Sequence, residues 1–133
     1  MIAPRVSIII PTYNHLEDCL KPCLESIIKY TNLNDKEVII VANGCKDSTC
    51  EYVLAAQAIH PNIKLINVPD QAGYTHATNL GLSVSRGERI VFLNNDTALL
   101  PQPEDEWIKL LEAPFQDSTV GVTGPLKIGR AHV

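Results

Sequence analysis

Arg5-Val6-Ser7-Ile8-Ile9-Ile10 (RVSIII), followed at once by Pro11-Thr12-Tyr13-Asn14, decides how this chain is read. The first six residues form a short, nearly continuous apolar run rich in β-branched side chains. That is the pattern of a strand buried on both faces, as parallel sheets require. Pro11 has a fixed φ and no amide hydrogen, so it is expected to end the strand. Leu16, Leu20, Cys23, Leu24 and Ile27 then recur with a helical period. Pro22 falls inside that stripe and predicts either a kink or a helix that starts late.

Outward from this unit the pattern repeats. Glu37–Val41 (EVIIV) is a second buried strand, and Asn43-Gly44 a turn. Ser48-Thr49-Cys50-Glu51 fits a capping box, which predicts a helix from about Ser48 to Ile59, stopped by His60-Pro61-Asn62. Ile63–Val68 (IKLINV) is a third strand, and Pro69–Gly73 a loop. Tyr74–Ser85 reads as a helix with Ala77, Leu80, Gly81 and Val84 inward, and Gly87 as its C-terminal cap. Arg89–Leu93 (RIVFL) is a fourth buried strand, broken by Asn94-Asn95-Asp96-Thr97. Glu104–Glu112 is a short amphipathic helix around Trp107, Leu110 and Leu111, and Val120–Thr123 begins a further strand. Strands alternating with helices predict an α/β fold, three layers with a mostly parallel sheet and flanking helices.

A length of 133 residues predicts a single domain, 1–133, with a real core. The net charge of −4 argues against a nucleic-acid-binding module. It leaves a nucleotide open, because one phosphate site needs only a few local donors. No apolar run is long enough to span a bilayer, and Met1–Arg5 does not begin a signal peptide. A cytoplasmic location is expected, at most peripheral to the inner face of the membrane. Cys19, Cys23, Cys45 and Cys50 have a spacing that superficially suits zinc. Cys19 and Cys23 fall inside the helical stripe, however, so free or structural thiols are the expectation.

Ligands of such sheets lie beyond the carboxyl ends of the strands. Those segments are polar here. Pro11-Thr12-Tyr13-Asn14 offers a hydroxyl, an aromatic ring and an amide, which suits a base and its ribose. Asn43 donates and accepts, so it can pair with a base edge or ribose. Asp47 can do the same, or cap the helix beside Ser48. Asp96, at the tip of the fourth strand, is a natural ligand for Mg²⁺ or Mn²⁺, which take oxygen donors and often only one or two from protein. Asn94 and Asn95 would add an amide oxygen or touch the sugar. Such a cation would neutralise the two phosphates of a diphosphate sugar.

Taken together these segments resemble family-two glycosyltransferases. Val6–Asn14 (VSIIIPTYN) resembles their opening strand and turn, and Glu37–Thr49 (EVIIVANGCKDST) their second strand and its acidic loop. Gly73–Leu82 (GYTHATNLGL) is similar to their Gly-aromatic…Ala-x-Asn-x-Gly helix. Gly87–Thr97 (GERIVFLNNDT) resembles the strand leading to their metal-binding Asp-x-Asp motif. The resemblance spans about residues 5–125, with four motifs in order. It implies a GT-A fold, a nucleoside-diphosphate sugar donor, a divalent metal, inverting transfer and a saccharide or lipid-linked acceptor. By the same resemblance Pro11, Thr12, Tyr13, Asn14, Asn43, Asp47, Gly73, Asn79, Asn94 and Asn95 would line the donor site, and Asp96 would hold the metal.

Some positions depart from the family pattern. Ala42 stands where an aspartate is frequent, Thr78 where many members have arginine, and Asn94 replaces the first acid of Asp-x-Asp. Asn-Asn-Asp is similar to the variant of rhamnosyltransferase-like members. The catalytic base of the family lies well beyond the metal motif, in an acceptor-binding half. Val120–Leu126 is similar to the strand leading there, whereas Lys127–Val133, with His132, matches nothing expected. The chain is therefore expected to be the N-terminal, donor-binding part of a longer protein, with its base beyond Val133. Inverting transfer needs that base within hydrogen-bond reach of the acceptor. His15, His60 and His76 are not placed for it. The alternatives are a non-catalytic nucleotide-sugar-binding fragment and an unrelated nucleotidyltransferase. The latter would need a glycine-rich phosphate loop, and Pro11–Asn14 has no glycine.

Overall fold

The computed structural model describes residues 3–125; the expected features at 126–133, His132 among them, lie outside the described residues. The chain divides after Pro101 into two compact units.

The first unit is an α/β layer structure. Strands β1 (Val6–Thr12), β2 (Lys36–Asn43), β3 (Ile63–Val68) and β4 (Arg89–Phe92) form one sheet in the order β3-β2-β1-β4. Every pairing is parallel. Helices α1 (Lys21–Tyr30), α2 (Thr49–Ile59) and α3 (Tyr74–Val84) join the strands. All of β1 and β2 is buried, as their apolar runs require. One face carries Ile9, Ile39 and Val41 against Ala77 of α3. Alternation along the strands turns Ile8, Ile10, Val38 and Ile40 to the opposite face, where they are equally buried. Gly81 lets α3 approach, because a Cβ there would stand 2.5 Å from Ile9 Cγ2.

Leu16, Leu20, Cys23, Leu24 and Ile27 are all buried as the stripe predicts, and the helix starts late. Leu16–Leu20 is a π-turn, and Pro22 occupies the first turn of α1, where no amide hydrogen is needed. Near the start of β2, Glu37 is a buried anchor: it accepts hydrogen bonds from Ser7 Oγ at 2.6 Å, Lys64 Nζ at 2.8 Å and the Arg86 amide at 2.6 Å.

Several local expectations are corrected. Pro11 does not end β1, which runs on to Thr12 and pairs there with Ala42. The Ile9 carbonyl accepts from Leu93 on the β4 side. Alternation places the Pro11 nitrogen on that same side, beyond the end of β4, so no ladder donor is lost. β4 is an edge strand of the described sheet and only half buried, with Phe92 51% exposed. Gly87 is no left-handed cap, since α3 ends at Ser85 with φ −69. Gly87 is needed for close approach: its amide donates to Ser7 Oγ at 2.8 Å, and a Cβ would stand 2.6 Å from the Ser7 nitrogen. Val84 is exposed.

The second unit holds α4 (Glu106–Glu112) and a 3₁₀ turn, Ala113–Gln116. The Trp107 amide donates to Gln102 Oε1, and Thr123 Oγ1 to the Leu111 carbonyl. Ile108, not Leu110, is the buried residue of α4. The strand expected from Val120 does not form among the described residues, and Val122 is exposed.

Candidate functional site

The strand order makes a crevice. The chain steps outward from β1 to β2 to β3, then returns to the other side of β1 for β4. The loops leaving β1 and β4 therefore diverge, and ligands of open α/β sheets bind at such a switch point. A crevice of about 440 Å³ opens there, lined by the ends of three strands and the loop that enters α3. Its walls include Pro11 and Thr12 from β1 and Tyr13 just after it, Asn43 from β2, and Asn94, Asn95 and Asp96 after β4. Asn95 Nδ2 donates to Thr12 Oγ1 at 3.0 Å and ties two of these ends together. Asn95 keeps a second Nδ2 hydrogen and an amide oxygen as polar groups at the crevice.

The opposite wall is the loop before α3, with Gln71, Ala72, Gly73 and Tyr74. Asn43 holds it in place. Its Nδ2 donates to the Ala72 carbonyl at 2.6 Å, and the Ala72 amide donates to Oδ1 at 2.9 Å. Its first role is therefore to clamp the wall. Gly73 caps α3, whose first-turn amides have no acceptor within the helix and carry the positive end of its dipole. Thr78 buries its hydroxyl without a hydrogen-bond partner among the described residues.

Three expected residues do not line the crevice. Asn14 is spent on the neighbouring loop: its amide donates to Cys45 Sγ at 3.3 Å, and its Oδ1 accepts from the Lys46 amide at 2.7 Å. Asp47 binds protein with both oxygens, Oδ2 accepting from the Leu16 amide at 3.1 Å and Oδ1 from the amide and hydroxyl of Thr49. Burial alone would raise its pKa, but those hydrogen bonds outweigh it and hold the carboxyl below its ordinary value. It caps α2, and Ser48 makes no side-chain cap, so the capping box does not form. Asn79 is exposed on α3, five residues past Tyr74 and so about 7.5 Å further along the axis. His76 is exposed on the same helix.

His15 and Cys19 line the crevice although sequence patterns gave no sign of either. The left-handed backbone of Asn14 and His15, φ 51 and 56, brings them there. Burial, then Asp18 and Asp96, pushes the Cys19 thiol up, and burial, Asp96 and Cys19 push that of Cys23 up to about 12. Asp96 thus imposes a negative potential on this end of the crevice. None of Cys19, Cys23, Cys45 and Cys50 is in a disulfide. Cys45 lies between the donor Asn14 amide and the acceptor Thr12 carbonyl, 3.6 Å away, and so braces the turn that carries Tyr13.

The match to known proteins decides the family. Residues 7–128 match the model of glycosyl transferase family 2.

The chain belongs to glycosyl transferase family 2.

Glycosyltransferase AglE of Haloferax volcanii is 33% identical over 122 residues, which cover 91% of this chain and 38% of AglE. S. aureus TarS in complex with UDP superposes with a TM-score of 0.69 at 25% identity, over 86% of this chain and 32% of that one. Mannosyltransferase PcManGT from Pyrobaculum calidifontis, in complex with GDP-Man and Mn²⁺, gives 0.62 at 26% identity, over 75% and 30%. This glycosyl transferase family 2 chain therefore has the GT-A fold and spans well under half the length of these relatives. Among its described residues, no helix is long and apolar enough to cross a membrane.

Proposed function

We propose that the chain is the donor-binding part of an inverting glycosyltransferase, which holds a nucleoside-diphosphate sugar in the crevice at the ends of β1, β2 and β4. One observation carries this reading: Thr12, Asn43 and the pair Asn95-Asp96, from three segments far apart in sequence, line a single crevice at the switch point of the sheet. Its volume suits a nucleotide-sized ligand. Tyr13, 43% exposed at the mouth, offers a ring to the base, while Pro11 and Thr12 shape the ribose end. The first turn of α3 presents amides to phosphate oxygens.

The donor set fits a hard divalent cation. Asp96 supplies a carboxylate and Asn95 an amide oxygen, the ligand type Mg²⁺ and Mn²⁺ take, with water and phosphate completing the shell. Among the described residues that line the crevice there is no lysine or arginine, so here the charge of a diphosphate falls to such a cation and to helix amides. When bound, the cation would supply charge neutralisation for the departing diphosphate. TarS with UDP and PcManGT with GDP-Man and Mn²⁺ support the ligand class. The general base and the acceptor site, for a saccharide or lipid-linked acceptor, are assigned to the length of the relatives that this chain does not span.

Calorimetric titration with a panel of nucleoside diphosphates, with and without Mn²⁺, tests the reading. Micromolar to millimolar affinity that needs Mn²⁺, weakened more than tenfold in Asp96→Ala, is expected. No nucleotide binding by the wild type, or equal affinity in the variant, would overturn it.

A further inference from the structure

We propose that the turn leaving β1 carries a separate site for a thiophilic divalent cation such as Zn²⁺, built from His15, Asp18 and Cys19. Each residue offers one ligand atom, and the three atoms lie within 4.8 Å of one another. The backbone makes the cluster. The His15 carbonyl accepts from the amides of both Cys19, at 3.0 Å, and Leu20, at 3.2 Å, so the chain winds through one wide π-turn. Such turns recur at functional sites. The turn sets the three side chains at positions i, i+3 and i+4, which share a face.

The chemistry differs from that of Asp96. Imidazole, carboxylate and thiolate together suit Zn²⁺, whereas Mg²⁺ and Mn²⁺ prefer oxygen alone. His15 Nδ1 lies 3.1 Å from an Asp18 oxygen. Two ligand atoms each about 2.1 Å from a tetrahedral ion stand about 3.4 Å apart, so this pair needs little movement. His15 and Asp18 are 65% and 68% exposed, which leaves the cluster open to a cation from solvent. Binding releases the thiol proton to solvent, takes neutral imidazole at Nδ1 with the ring proton on Nε2, and leaves a fourth position for water. Because His15 and Cys19 line the same crevice as Asp96, the ion would stand beside the oxygen-donor end. The site goes beyond the donor reading and needs no nucleotide.

Co²⁺ is the probe, added to the 133-residue chain under reducing conditions and then displaced by Zn²⁺. One equivalent should give a thiolate-to-cobalt charge-transfer band and the intense visible bands of a tetrahedral shell. Cys19→Ser should abolish the charge-transfer band, and His15→Ala should weaken Co²⁺ and Zn²⁺ binding more than tenfold. Cys50→Ser, at a residue that lines neither site, should leave both within threefold, and the band should appear without nucleotide, which separates this site from any metal bound with a nucleotide. Circular dichroism of each variant reports folding, and the exposed position of His15 keeps that arm decisive even if Cys19→Ser unfolds. No band in the wild type, a band that survives Cys19→Ser, or affinity unchanged in His15→Ala would overturn the proposal.

Discussion

Asn43 and Ala72 hold each other in both directions: the amide of the one donates to the carbonyl of the other at 2.6 Å and accepts from its backbone nitrogen at 2.9 Å. This pair fastens the end of β2 to the loop before α3. Gly44 follows with φ 75, and a Cβ there would stand 2.6 Å from the Gln71 nitrogen, so the two segments are pressed together. The clamp sets the width of the crevice before any ligand arrives.

Removing the clamp should therefore cost both stability and binding. Asn43→Ala leaves two backbone groups of a nearly buried pair unpaired, a loss of about 1–3 kcal/mol. Asn43→Asp should do no better, because it sets a carboxylate against the Ala72 carbonyl. Urea unfolding measures the first effect and nucleotide calorimetry the second. Wild-type stability in Asn43→Ala would show that the clamp is idle.

Glu37 makes stability depend on pH. Burial, at 1% exposure, would raise its pKa, but hydrogen bonds from Lys64, Ser7 and the Arg86 amide outweigh it and hold the carboxyl below its ordinary value. A folded pKa below the unfolded value contributes stability in full above the unfolded value, about 4.3, and loses it as pH falls through the folded one. Glu37→Gln should cost about 1–3 kcal/mol near neutrality. Lys64, 33% exposed, keeps the cost under that of a fully buried pair. The gap between wild type and variant should narrow below about pH 4. A gap that stays constant down to about pH 3 would mean that the charge contributes nothing.

Asp47 joins two loops through one carboxylate, capping α2 at Thr49 and holding Leu16 at the start of the π-turn. Asp47→Ala should destabilise the chain by about 1–2 kcal/mol, as lost caps do. Ser48→Ala should change stability little, since Ser48 makes no side-chain cap. Thermal unfolding of the two variants side by side checks the assignment, and the reverse ranking would restore the capping box.

Gly81 sets how near α3 comes to the sheet. In Gly81→Ala the new methyl would stand 2.5 Å from Ile9 Cγ2 and 3.3 Å from Val41 Cγ2. Overpacking of this kind costs about 1–3 kcal/mol. The better helix propensity of alanine, about 1 kcal/mol, offsets part of it. A lower melting temperature is expected, and a higher one would place α3 farther from β1.

Residue order alone specified the elements. The β-branched runs at Val6, Val38, Ile63 and Arg89 wrote four strands, and the stripe from Leu16 to Ile27 wrote the buried face of the first helix, because burial and backbone period are local properties of residue order. The motif residues at the strand ends also placed the chain in its family. That β1 passes through Pro11 emerges only in the assembled sheet, because it depends on where its neighbour β4 stops. The same holds for Asp47 as the cap of α2, since its second oxygen is fixed by Leu16, 31 residues away. His15 and Cys19 entered the crevice through two left-handed residues that no hydrophobic period records. Which strand ends meet, and so which polar groups a ligand can touch together, follows from the order β3-β2-β1-β4. That order is a matter of long-range pairing between segments, and no window along the chain contains it.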